Sequence, residues 1–136
     1  MRPDAAPALG EILARRYRCT DCGTVLTVVP RGMAAALRYT LATIAMALML
    51  WGLRGRTPAQ ARRATSPLRC LGVCEPHRWR SLRRWTRKAE RLFDLPSSLE
   101  APTVRDLARR VAHLLIARGP PDRPALHRAF EGAGLR

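Results

Sequence analysis

Apolar positions recur with a helical period in several stretches of the chain and crowd together in one. Over residues 33–53, Leu37, Leu41, Ile44, Leu48 and Trp51 follow one another at steps of four and three, which marks one helical face. The pattern predicts a core helix over about 35–51, with Gly52 as its stop and Thr40 and Thr43 on a small-residue side suited to packing. Thr57 is a good N-cap and Pro58 a good first helical residue, so a short helix should run to about Ala64. Residues 66–76 contain Pro67, Gly72 and Pro76 and read as an irregular link. A stronger helix is expected over 77–92. There Trp79, Leu82, Trp85, Ala89 and Leu92 share one side, and Pro96 with Ser97–Ser98 closes the segment. Thr103 caps a further helix, Val104–Arg118, stopped by Gly119-Pro120-Pro121, and a short amphipathic piece should cover Ala125–Glu131.

The N-terminal part reads differently. Residues 1–16 are rich in Ala and Pro and form a loose lead-in, with a short helix as an option around Leu9–Arg16. From Tyr17 to Pro30 a Cys-x-x-Cys-Gly turn precedes the β-branched run Thr24–Val29, which predicts strand, knuckle, strand. The expected fold is therefore mainly α: a small helical, helix-turn-helix-like domain preceded by a short zinc-ribbon-like β-hairpin. The division is a lead-in at 1–16, a knuckle hairpin at 17–30, a helical domain at 33–95 and a helical C-terminal tail at 97–136.

A run as apolar as 33–53 raises the alternative of a single membrane span with basic flanks on anionic lipid. Only fifteen uncharged residues separate Arg38 from Arg54, however, while a span needs about twenty. Residues 1–18 hold Asp4, Glu11 and Arg15–Arg16 with no apolar signal core, so a cytoplasmic protein is expected.

Charge changes the picture most. The 136 residues carry 25 Lys and Arg against 10 Asp and Glu, a net charge of +15, and every basic residue but Lys88 is arginine. A GC-rich genome would inflate arginine over lysine, but it does not account for the shortage of acids. Such an excess attracts polyanions, and arginine suits bidentate contact with phosphate or guanine. The excess is also local, since Gly52 to Phe93 holds twelve Lys and Arg against two Glu, a net of +10. On the 77–92 helix, Arg80, Arg84, Arg87 and Arg91 fall opposite the tryptophan side. An arginine-rich surface merely solvated by water is the plainer reading. The clustering favours a nucleic-acid face made of His77, Arg78, Arg80, Ser81, Arg83, Arg84, Arg87, Lys88 and Arg91. If the helix docks as the second member of a helix-turn-helix, its N-terminal residues reach base edges, and Arg87, Lys88 and Arg91 lie beside phosphates. The dozen-residue link before it is longer than the usual three- or four-residue turn.

Four cysteines sit in two pairs. Cys19-x-x-Cys22 has the spacing of a zinc knuckle, and Cys70 and Cys74 (or Cys74 with His77) would complete four ligands for a structural Zn2+. The alternative for Cys70 and Cys74 is two small buried side chains flanking Leu71 and Val73.

Arg16-Tyr17-Arg18-Cys19 through Pro30, Arg38-Tyr39 with the apolar run behind it, Gly55-Arg56-Thr57-Pro58 and Leu82 through Arg87 together resemble a known module. It is the N-terminal zinc-ribbon and helix-turn-helix module of bacterial insertion-sequence transposases and their orphan relatives, and the likeness covers roughly residues 15–95. The resemblance implies DNA as partner and a structural zinc. It departs in one respect, because the family's first cysteine pair would lie upstream of Cys19, where this chain has none. The family's catalytic carboxylates need an RNase-H-like domain. Asp106, Asp122 and Glu131, scattered among arginines, do not supply one. A non-catalytic DNA-binding protein is expected, with an RNA-binding zinc ribbon, a membrane protein or a transposon remnant as alternatives; the oligomeric state is left open.

Overall fold

The computed structural model describes residues 10–30, 32–33, 39–66, 79–97 and 99–134. Among them the chain is mainly helical, with one two-stranded antiparallel hairpin before the helices. The hairpin pairs β1 (Arg15–Arg18) with β2 (Val25–Val28), Tyr17 opposite Leu26. Strand pairing thus takes Arg15 and Arg16, and residues 10–14 form no helix, so the option of a helix at Leu9–Arg16 is not realised over the described positions. All four residues of each strand are exposed.

The core is organised around α1 (Leu41–Gly52). The helix begins later than its apolar pattern suggests, because Met33 and Thr40 form an antiparallel bridge and the Leu41 amide donates to the Gly32 carbonyl at 2.8 Å. Thr40 is the N-cap, its hydroxyl accepting from the Thr43 amide at 3.1 Å. Leu37 and Arg38 lie outside the described residues. Nine of the twelve positions of α1 are buried and none is exposed. The other three, Ala42, Met46 and Leu50, form one half-buried stripe, and a helix so largely enclosed needs no polar face. At 1.5 Å per residue it is roughly 18 Å long, against about 30 Å of bilayer hydrocarbon. Among the described residues no helix is long and apolar enough to cross a membrane.

Most of the remaining helices pack on α1. The short α2 (Pro58–Thr65) starts at a capping box in which the Gln60 amide donates to the Thr57 hydroxyl and the Thr57 amide to the Gln60 side chain. The arginine-bearing segment forms α3 (Arg80–Arg87) and α4 (Ala89–Phe93). Then come α5 (Val104–Arg118), capped by Thr103, and α6 (Ala125–Gly132). Both α5 and α6 pack on α1, and Ala108, Val111, Ala112, Leu115, Ala129 and Ala133 belong to the same apolar core as Ile44, Leu48 and Trp85. Residues 97–136, expected as a helical tail, hold the helices α5 and α6 in their described part, and these form a structural wall. The supports of α3 are α1 and α5. The link at 67–78 lies outside the described residues.

Glycines permit the closest approaches. A Cβ on Gly52 would stand 2.7 Å from the Arg109 amide nitrogen and 2.9 Å from the Ala108 carbonyl carbon. Gly52 therefore acts as the contact between α1 and α5 as well as the end of its helix. A Cβ on Gly132 would overlap the Leu115 carbonyl oxygen, and one on Gly119 the Arg128 carbonyl oxygen, so α5 and α6 meet backbone to backbone. Backbone atoms cannot swing aside as side chains do. Gly132→Ala is expected to destabilise the protein by about 1–3 kcal/mol in urea denaturation. Gly134→Ala, whose Cβ would meet its nearest atom at an ordinary 3.5 Å, should change stability by less than about 0.5 kcal/mol. Equal effects at the two positions would show that close approach is not what Gly132 supplies.

Candidate nucleic-acid interface

An aromatic triad sets the rotation of α3. The Trp79 and Trp85 rings meet edge to face with centroids 5.0 Å apart, and Tyr39 meets Trp85 at 5.0 Å and Trp79 at 6.1 Å. Such pairs contribute about 0.5–1.5 kcal/mol each beyond burial. The Tyr39 hydroxyl lies 3.0 Å from that of Ser66, which ties the triad to the end of α2. Leu82, Trp85, Ala89 and Phe93 are each 1% exposed. Phe93, rather than the half-buried Leu92, continues the buried side, four residues after Ala89.

With that side fixed inward, Arg80, Arg83, Arg84, Arg87, Lys88 and Arg91 are all exposed. At 100° per residue they fill one arc of the helix surface. Among the described residues none of them pairs with a carboxylate; the ion pairs seen are Arg109–Asp106 at 3.5 Å and Arg123–Asp122 at 3.6 Å. Like-charged neighbours three or four residues apart cost about 0.2–0.5 kcal/mol per pair. Among the described residues the stripe thus lowers stability with no carboxylate to relieve it. Ser81 is half-buried at the flank of the arc. His77 and Arg78, the other expected members, lie outside the described residues.

The expected single helix over 77–92 is divided over its described part. It begins at Arg80 with Trp79 as its cap residue, and Lys88, at φ −100° and ψ 5°, separates α3 from α4. The buried Thr86 hydroxyl donates to the Leu82 carbonyl at 2.8 Å, a local bond of the kind that bends helices. Bonding nevertheless continues across the junction, since the Lys88 amide reaches the Arg84 and Trp85 carbonyls and the Leu92 amide reaches the Lys88 carbonyl. Asp94, left-handed at φ 50°, ends the run before Pro96 is reached.

Other arginines have structural roles. Arg105 Nε donates to the Trp51 carbonyl at 3.1 Å and Arg109 Nε to the Gly52 carbonyl at 3.4 Å. Two cations of α5 thereby cover the C-terminal carbonyls of α1, which has no basic residue in its own last turn. Arg118 does the same at the end of α4, donating to the carbonyls of Phe93 and Asp94.

The hairpin presents the first cysteine pair. Cys19 and Cys22 are exposed free thiols in the β1–β2 turn, which Gly23 closes at φ 72°. The Cys19 amide donates to the Thr24 carbonyl at 2.8 Å and the Gly23 amide to the Cys19 carbonyl at 3.1 Å. Cys22 Sγ lies 3.1 Å from Thr24 Oγ1. Hydrogen bonds from the Thr24 hydroxyl first, then from its backbone and from Cys19, favour the thiolate and lower the Cys22 pKa to about 7. Two thiols on a tight turn, one of them acidic, are suited to half of a tetrahedral metal site. Among the described residues no third Cys, His, Asp or Glu joins them. Cys70 and Cys74 lie outside that set.

Compared with known proteins, the chain matches no protein-family model, and no curated protein or solved structure shows significant similarity to it.

Cys22 should react with iodoacetamide at a rate that rises through about pH 7, because only the thiolate attacks. Thr24→Val removes the strongest of these donors and should move that midpoint upward, toward the ordinary thiol value. An unmoved midpoint would show that Thr24 does not set it.

Proposed function

We propose that this chain is a non-catalytic, transposase-derived DNA-binding protein that lays the α3–α4 face against duplex DNA. One observation carries the reading: a contiguous exposed arc of six cations, without a carboxylate partner among the described residues, on a segment whose opposite side is locked into the core. The contrast with Arg105, Arg109 and Arg118, each hydrogen-bonded within the fold, supports it. Composition alone would have scattered arginine without sorting it this way. From Arg80 to Phe93 the segment is roughly 20 Å long, and a helix of ordinary diameter enters a major groove about 12 Å wide.

In this reading Arg80 and Arg84, with His77, Arg78 and Ser81, face base edges, while Arg83, Arg87, Lys88 and Arg91 bind flanking phosphates. Arg84 and Arg87 occupy the middle of the arc. The Cys19–Cys22 turn holds half of a structural zinc site, which Cys70 and Cys74 complete. The zinc would supply rigidity to the hairpin, whose strands are exposed throughout. A cytoplasmic location goes with the same reading.

Each phosphate neutralised releases counterions, so affinity should fall steeply with salt. Arg84→Ala with Arg87→Ala should weaken duplex binding and flatten the plot of log affinity against log salt by about 0.9 for each phosphate that is no longer neutralised. Arg109→Ala, which removes one charge on α5, should leave the slope closer to that of the unaltered protein. Unchanged affinity and slope in the double variant would contradict the docking. Tighter binding to a structured RNA than to duplex DNA under the same conditions would make RNA the partner.

A further inference from the structure

A groove of about 730 Å³ opens beside the N-terminal end of the cationic arc. Four elements meet there: the C-terminal end of α1, the N-termini of α2 and α5, and the start of α3. Its apolar wall includes Trp51, Trp79 and Leu82, and its cationic wall is Arg80, Arg83 and Arg105. Among the described residues no carboxylate lines it. Asp106, in the first turn of α5, is engaged instead by the Thr103 hydroxyl at 2.6 Å and by Arg109 at 3.5 Å. Arg105 is fixed at the rim by its bond to the Trp51 carbonyl.

Three arginines line the groove with no acid among its described residues, which favours an anion, and phosphate is the anion that arginine forks fit best. The volume is that of a small-molecule site and much exceeds what inorganic phosphate fills. The indole-bearing wall provides for the rest, since aromatic side chains and arginine planes both accept flat rings. Only Arg80 and Arg83 are shared with the proposed duplex face. Arg105, Trp51 and Trp79 have no part in it.

We propose that this groove binds a nucleoside monophosphate unit, its phosphate on Arg80, Arg83 and Arg105 and its base against the Trp51–Trp79 wall. The unit comes either as a free nucleotide or as the unstacked or terminal residue of a strand. The inference goes beyond the duplex-binding reading and does not require it.

The test is tryptophan-fluorescence titration of the full chain with AMP, adenosine and inorganic phosphate in parallel. AMP should bind more tightly than either of the other two. Arg83→Ala, which removes an exposed side chain, should weaken AMP about tenfold, as expected for one charge-assisted hydrogen bond. Arg105→Ala should weaken it similarly, with circular dichroism confirming that each variant is folded. Arg123→Ala, an equal charge change in the α5–α6 loop, should leave AMP binding within about twofold. A 5′-phosphorylated single-stranded oligonucleotide that displaces AMP identifies the strand as the source; AMP binding that resists displacement identifies the free nucleotide. Absence of AMP binding at millimolar concentration, phosphate binding as tight as AMP, or equal losses in Arg83→Ala and Arg123→Ala would each overturn the proposal. Duplex titration of the Arg84→Ala, Arg87→Ala protein is read separately, so failure of the groove and failure of the duplex face are distinguishable.

Discussion

Everything in the helical part of this protein depends on enclosing α1. It is a twelve-residue helix without a charged side chain, and it holds its place because other helices come near enough to bury nine of its residues and leave only the Ala42, Met46 and Leu50 stripe half-buried. Gly52 lets α5 approach until backbones touch, and Gly132 and Gly119 let α6 close against α5. The carbonyls left open at the end of α1 are then covered by Arg105 and Arg109 from its neighbour. An apolar run that could have suggested lipid is instead solvated by protein.

That enclosure also sorts the arginines. Three of those on α5, Arg105, Arg109 and Arg118, lie across the ends of α1 and α4, where carbonyls need donors. Those of α3 and α4 are turned away by the Tyr39, Trp79 and Trp85 triad and by Leu82 and Phe93, and they find no acid among the described residues. Folding a row of like charges onto one face raises the energy of the free protein. A ligand that brings negative charge lowers it again, more effectively than salt does. The functional reading rests on this difference between arginines that complete the fold and arginines that the fold displays.

Much of the helical layout was legible in the sequence because caps and periods are local signals. Thr57-Pro58 and Thr103 mark the starts of α2 and α5, and Gly119-Pro120 the end of α5, as the structure has them. The start of α1 was not legible. Its apolar period runs on upstream, while a bridge between Met33 and Thr40, which periodicity does not reveal, delays the helix to Leu41. The role of residues 97–136 as a wall of the core was missed for the same reason, since α5 and α6 declare themselves amphipathic without saying what they cover. On the candidate face, a period of three and four brought out Arg80, Arg84, Arg87 and Arg91, but it carries no mark of the division at Lys88. The groove at Arg105 joins residues more than fifty positions apart and left no sequence signature.

A polyanion bound as proposed covers the displayed arginines and leaves the structural ones alone. Arginine-selective modification with phenylglyoxal, read residue by residue by mass spectrometry with and without duplex DNA, tests this directly. DNA should protect Arg84, Arg87 and Arg91 while Arg109 and Arg118 keep their reactivity. Uniform protection over all exposed arginines, or none on α3 and α4, would contradict it.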